Sequence, residues 1–200
     1  MTITTRRSPA QRPPSAAVPQ RESARSLLAA VALPHFYDLT GHRRLLDISD
    51  AHGCWSIAAA IQPSLSTTVL SLPTTANLIR ARVATAGLTD RVAVTVIDPI
   101  GGELPDGHDV ILVADLVQAL IPRPNQAPLT QLRMASDHGA RLLLVDPCVM
   151  GGAPPTHQRG PRHGDYSVEE IRGWLQRAGW RYFRRSLLAG RYSLLVAFAD

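Results

Sequence analysis

The chain has 200 residues, 45% of them hydrophobic, and a formal net charge of +5. That length suits one domain with a core of its own, and no apolar run approaches the roughly 18 residues that a membrane-spanning helix needs. All 21 basic residues are arginine, aromatic residues are only 5% of the chain, and no nucleic-acid-binding motif accompanies the arginines, so the positive balance reads as a solvated surface rather than a nucleic-acid interface.

Residues 1–22 carry Pro9, Pro13, Pro14 and Pro19 among Ser, Thr, Gln and Arg. Such a stretch buries too little apolar surface to offset chain entropy and is expected to be a disordered tail. Its arginines precede no apolar segment, so it does not read as a secretory signal, and a cytoplasmic location is the default. Ser23 can cap a short helix through Leu27, Leu28, Val31 and Leu33 that Pro34 stops or kinks. Residues 23–40 therefore read as a helical lead-in to a domain over 41–200.

From Arg44 onward strand and helix patterns alternate. Strands are expected at Leu45–Ser49, Thr67–Leu72, Val92–Asp98, Asp109–Ala114 and Arg141–Pro147, all short apolar runs without period-2 polarity, as in strands covered on both faces. Helices are expected at Cys54–Ile61, Thr74–Ala86, Asp115–Leu120, Ala127–His138 and Ser167–Ala178. Ser167-Val168-Glu169-Glu170 opens the last of these with a capping residue and two acids, and Gly139 and Gly179 are read as helix stops. Trp180–Leu188 and Tyr192–Ala199 read as a closing hairpin. Met150–Asp165, rich in Gly, Pro and His, reads as a long loop. The sum is an α/β chain: a doubly wound, mostly parallel, Rossmann-like sheet with an antiparallel C-terminal hairpin.

Open α/β sheets bind ligands outside the carboxyl ends of their strands. That rule gathers Ser49–Gly53, Ser71, Asp98, Ala114–Asp115 and Asp146–Cys148 around one crevice. Leu45-Leu46-Asp47-Ile48-Ser49-Asp50-Ala51-His52-Gly53-Cys54 has the layout of a nucleotide-binding strand–turn–helix, with a single turn glycine, Gly53. Asp47 is either a ligand contact or a carboxylate that caps the turn. Asp98 either accepts from a ligand or serves the turn at Pro99. Cys54 and Cys148 lack metal-ligand spacing and are read as two reduced thiols, and no metal centre is expected. Among the histidines, His52 is the one placed to touch a ligand, His108 and His138 read as surface residues, His35 as a packing residue, and His157 and His163 lie at the expected cleft mouth. Trp174, Trp180, Tyr182 and Phe183 read as core or interface.

Taken in order, Leu45–Gly53, Pro63–Pro73, Ala86–Val92, Leu104–Leu112, Gly139–Asp146 and Leu175–Trp180 resemble the catalytic domain of the S-adenosylmethionine-dependent O-methyltransferases, nearest the caffeate-type and bacterial polyketide-tailoring branch. The resemblance covers about three quarters of the chain. It implies S-adenosylmethionine as cofactor, a small aromatic or polyketide-like substrate, and Asp47, Ser49, Gly53, Ser71 and Asp98 as the cofactor-binding positions. The family turn reads Asp-x-Gly-Gly-Gly-x-Gly, so Ser49, Asp50 and Ala51 stand where it has glycines. Ser71 stands where it has the acid that holds the ribose hydroxyls, and Gln118 where it has the catalytic histidine. The family's N-terminal helical dimerisation domain has no counterpart beyond residues 23–40; a homo-oligomer is left open. Two functions are therefore carried forward: methyl transfer to a hydroxyl of a small molecule, and a catalytically degenerate domain that binds a ligand or a partner.

Overall fold

Seven strands form one sheet in the order β3-β2-β1-β4-β5-β7-β6 in this computed structural model, which describes residues 17–49, 52–98, 102–117, 127–146, 167–189 and 192–199. The strands are β1 Arg44–Ser49, β2 Ser66–Ser71, β3 Val92–Val96, β4 His108–Ala114, β5 Ser136–Asp146, β6 Trp180–Leu187 and β7 Ser193–Ala199. Strands β1 to β5 run parallel, and β7 joins β5 and β6 antiparallel. The order reverses at β1, which lies between β2 and β4; the crevice of a doubly wound sheet opens at such a switch point. The expected fold class is what the chain adopts.

Helices cover both faces: α1 Ala17–Phe36, α2 Cys54–Ala59, α3 Pro73–Thr85, α4 Ala127–Met134 and α5 Val168–Arg177. Alternate residues of each central strand divide between two cores. Leu46, Ile48, Ile111, Val113, Leu142 and Leu144 pack with α4 and α5, around Trp174 and Trp180. Leu45, Val110, Leu112, Ala114, Leu143 and Val145 face the other way, onto Ala29, Ala30 and Leu33 of α1 and Trp55 of α2. A smaller core under α3 holds Val69, Ile79, Val83 and Val92. Trp180 has the role expected of it: it is 1% exposed and its indole N–H donates to the Leu129 carbonyl at 2.9 Å.

Local rules set several boundaries. Ser167 Oγ accepts from Glu170 N at 3.1 Å while Glu170 Oε2 accepts from Ser167 N at 2.9 Å, the capping box that the sequence spells out. Three boundaries move. Helix α1 starts at Ala17 rather than at Ser23 and runs two residues past Pro34; its buried residues Ala29, Ala30 and Leu33 pack on the sheet. A proline in the last turn removes only one helical bond. Helix α4 ends at Met134, and Gly139, at φ +74°, lies inside β5 instead of ending a helix. The register between β4 and β5 shifts in the same region, so the glycine serves a bulge. Asp115 is not helical; it sits at φ +62° just after β4. Among the described residues, no helix is long and apolar enough to cross a membrane. Of the expected tail over 1–22, residues 17–22 are helical, as the start of α1, and residues 1–16 lie outside the described residues, as does the expected loop over 150–165.

Candidate functional site

The carboxyl ends of β1, β4 and β5 adjoin one another, with Ser49 in register with Ala114 and Ala114 with Val145. The next residues along β4 and β5 are Asp115 and Asp146. Asp47 and Ser49 lie two apart on β1 and share the face that looks toward α1 and α2. Three carboxylates and a hydroxyl thus meet at the edge where a doubly wound sheet takes its ligand.

Asp47 is fully buried. Its Oδ2 accepts from Ser56 N at 3.1 Å and from Ser56 Oγ at 2.6 Å, so this oxygen caps the first turn of α2. Neither its Oδ1 nor the Oγ of Ser49, itself only 7% exposed, makes a hydrogen bond of good geometry, although the Ser49 hydroxyl lies close enough to the carboxyl to favour its ionised form. Burial pushes the Asp47 carboxyl above its usual range; the hydroxyls of Ser49 and Ser56 oppose the push and the Asp115 carboxylate adds to it. Both readings of Asp47 stand side by side on one side chain, one oxygen structural and one unclaimed.

Gly53 is the N-cap of α2 at φ +79°. A Cβ there would meet Ile79 Cγ2 at 2.8 Å, so glycine serves both the left-handed turn and the contact between α2 and α3. His52 precedes it at φ +51°, and its carbonyl accepts from Arg82 at 3.4 Å. Cys54 follows; burial, with Asp47 and Asp115 nearby, pushes its thiol up to about 12, so it stays protonated and is a poor nucleophile.

Ser71 closes β2 and is 3% exposed. Its hydroxyl lies 3.0 Å from the Leu72 carbonyl, to which it donates, and 2.8 Å from Thr75 Oγ1. It is committed to the start of α3. Asp98, after β3, is exposed, and its carbonyl accepts from Gly102 N at 2.9 Å. Close by is an open hollow of about 410 Å³ lined by Ile97, Glu103, Leu104, Pro105 and Asp106. Gln118, Asp50, Cys148, His157 and His163 lie outside the described residues. Among the described residues no cluster of His, Cys, Asp or Glu is arranged to hold a metal ion.

One network carries no sequence signal. Asp115 Oδ1 accepts from the Tyr192 hydroxyl at 2.6 Å, and its Oδ2 lies 3.5 Å from the Trp55 indole nitrogen. Tyr192 also meets Ser26 Oγ of α1 at 2.9 Å. The Trp55 and Tyr192 rings pack edge to face at 6.2 Å. Two histidines correct the sequence reading. His108 is not a surface residue but 6% exposed. Its ring nitrogens lie 3.2 Å from the Pro105 carbonyl and 3.2 Å from Thr68 Oγ1, because β4 begins one residue earlier than expected and carries the ring inward. His35, read as a packing residue, is exposed at the end of α1.

No family model matches the chain. Curated relatives do. The chain is 30% identical over 164 residues to a 3-hydroxy-5-methyl-1-naphthoate 3-O-methyltransferase of Streptomyces sahachiroi, covering 77% of this chain and 48% of that protein. It is 33% identical over 122 residues to an L-tyrosine C(3)-methyltransferase of Streptomyces lavendulae, covering 60% of this chain and 33% of that one. An aclacinomycin 10-hydroxylase, RdmB, of Streptomyces purpurascens is 35% identical over 123 residues, covering 60% and 32%. Among solved structures, the S-adenosylmethionine-dependent methyltransferase SibL superposes with a TM-score of 0.75 at 24% identity, covering 90% of this chain and 57% of that one. PigF with SAH superposes with a TM-score of 0.71 at 22% identity, covering 91% and 60%. The chain spans about a third to a half of the length of the curated relatives it matches. Over that span the chain is similar in sequence to an O-methyltransferase, a C-methyltransferase and a hydroxylase of Streptomyces, and it shares the fold of S-adenosylmethionine-dependent methyltransferases.

Proposed function

We propose that the chain binds S-adenosylmethionine at the carboxyl edge of β1, β2 and β4 and serves methyl transfer to a hydroxyl of a small aromatic or polyketide-like molecule. The observation that carries this reading is the pair of buried polar atoms at that edge without a hydrogen bond of good geometry, Asp47 Oδ1 and Ser49 Oγ. Buried polar groups nearly always find partners, and one left without is accounted for when a ligand supplies the missing bond. Asp47 Oδ1 is an acceptor for a ligand ammonium, Ser49 Oγ can donate or accept, and Asp98 is the residue the resemblance assigns to an adenine amino group. Gly53 supports the group indirectly, by fixing the turn against α3. Ser71 offers its hydroxyl to the ribose only by giving up the Leu72 carbonyl, which weakens the grip.

Bound there, the cofactor supplies an electrophilic methyl group on a sulfonium. The chain's share is to orient donor and acceptor, because orientation is what remains once Gln118, which cannot take a proton, stands at the base position.

A second reading has its own support. Ser71 is locked into α3, and Ser49 carries a side chain where the family turn is bare; both changes suit a domain that keeps the fold and binds without catalysing. The hydroxylase among the relatives fits the general rule that one fold hosts several chemistries.

A thermal-shift titration separates these readings. Ligand at 100 times its dissociation constant stabilises a fold by about 2.7 kcal/mol. S-adenosylmethionine is expected to raise Tm in proportion, and mass spectrometry of hydroxynaphthoate-type acceptors is expected to show a gain of one methyl group. A raised Tm with no methylated product favours binding without catalysis, and an unchanged Tm at millimolar ligand removes the proposal.

A further inference from the structure

We infer that the outward face of α1 is an interface for a second copy of this chain, and that two copies pair there with their α1 helices antiparallel. The inference stands apart from the cofactor reading and goes beyond it.

Helix α1 is apolar on two opposite faces. On one, Ala29, Ala30 and Leu33 are buried against the sheet. On the other, Ala24, Leu27, Leu28, Val31 and His35 are all exposed. Their spacing of i, i+3, i+4, i+7 and i+11 makes one continuous stripe. Leu27, Leu28 and Val31 are 52%, 60% and 58% exposed. A helix that is apolar on both faces is ordinarily covered on both. Other large exposed apolar side chains, such as Ile61, Met134 and Leu187, stand singly on other parts of the chain. Single residues of that kind are normal on a surface; a contiguous stripe marks a contact.

Charge selects the occupant. Arg25 is exposed near the start of the stripe, and Asp38 is exposed just past the end of α1. Antiparallel copies set each Arg25 at the carboxyl end of the other copy's α1, where the helix dipole is negative, and toward the other copy's Asp38. Parallel copies would set Arg25 against Arg25. Opposite charges at the two ends of one apolar stripe suit a two-fold, self-complementary contact. Residues 1–16 are a poorer occupant, because their large aliphatic side chains are Met1 and Ile3 alone. From Ala24 to His35 the stripe runs about 17 Å at 1.5 Å per residue. A contact of that length falls at the small end of specific interfaces, about 1,200 Å² or less, so the dimer is expected to dissociate at micromolar rather than nanomolar concentration.

The test is sedimentation velocity of the full chain, from low micromolar to several hundred micromolar, without S-adenosylmethionine. A reversible monomer–dimer equilibrium is expected. Leu28→Glu and Val31→Glu each put a charge on the stripe and are expected to weaken the dimer at least about tenfold. Circular dichroism and Tm of the monomer should stay as they are, because both side chains point away from the sheet. Met134→Glu, on α4, is the control and is expected to change nothing. Arg25→Ala is expected to weaken the dimer a few-fold; an unchanged or tighter dimer in that variant overturns the antiparallel arrangement. A chain that stays monomeric at every concentration overturns the inference. So does open-ended association, a dimer that Leu28→Glu and Val31→Glu leave intact, or one that Met134→Glu weakens as much as they do. No cofactor enters the measurement, so its failure and the failure of the cofactor reading are separate results.

Discussion

The two ends of the sheet treat their charges in opposite ways. At the amino end, Asp109 accepts from the backbone N–H groups of Arg43 and Arg44 at 2.8 and 3.0 Å, and lies 3.7 Å from His42. Arg44 pairs with Asp137 at 3.2 Å, and His108 contacts Thr68 and Pro105. One hydroxyl there, Thr67 Oγ1, lacks a partner; no described carboxylate does. At the carboxyl end, a buried carboxylate oxygen and a serine hydroxyl are unclaimed, and His52 and Asp115 hold left-handed backbones. The same strands build both ends, so the difference is not a matter of packing quality. The proposed function gives the difference a reason: a ligand would complete the carboxyl end, whereas the amino end leaves a single described hydroxyl, that of Thr67, without a partner.

This asymmetry can be broken by mutation. The largest effect is expected at Gly53. Gly53→Ala forces a side chain into a left-handed turn and against Ile79 Cγ2 at 2.8 Å; a loss of about 2–3 kcal/mol in a urea titration is expected. Next is Asp109→Ala at the finished end, which strips two backbone donors of their acceptor and is expected to cost about 1–2 kcal/mol.

The pH dependence gives a smaller effect. Burial holds the His108 and His42 imidazoles below the ordinary value of 6.5. The unfolded chain therefore takes up these protons before the folded one. Stability is fully present above pH 6.5 and declines as pH falls from there toward the depressed folded values. His108→Gln is expected to flatten part of that decline in Tm measured from pH 7.5 to 5.

The smallest effect is the most telling. Asp47→Asn keeps an acceptor for Ser56 and removes a carboxyl whose pKa is raised on folding. A raised carboxyl favours the folded state at low pH and loses that contribution as pH rises through its folded value. At pH 8 the variant is therefore expected to be as stable as the native chain or slightly more so. If Asp47→Asn costs as much as Asp109→Ala, the two ends of the sheet are alike and the contrast fails.

Most of the scaffold was legible because its signals are local. Apolar runs of six or seven residues marked the buried strands, whereas Val92–Val96, marked the same way, is an edge strand with a single buried residue, and Ser167 with Glu170 wrote out a helix start. The site was legible only in outline. Strand-end positions follow from topology, so Asp47, Ser49, Ser71 and Asp98 fell where expected. What those side chains do depends on partners remote in sequence. The Tyr192 hydroxyl reaches an acid 77 residues away and a serine 166 residues away. His108 looked like a turn residue because Pro105, Asp106 and Gly107 precede it, and its partner Thr68 lies 40 residues upstream. Asp115 looked like a helix start because aspartate favours that place; a left-handed residue after a strand leaves the same local trace.

The most direct measurement is hydrogen exchange on the full chain with and without S-adenosylmethionine. Added protection is expected at Ile48–Ser49, His52–Cys54 and Ala114–Val117, with the amino-end residues Arg43–Leu45 and His108–Val110 unchanged. Protection confined to the amino end, or none at saturating ligand, would contradict the assignment of the carboxyl edge as the place this chain leaves open for a ligand.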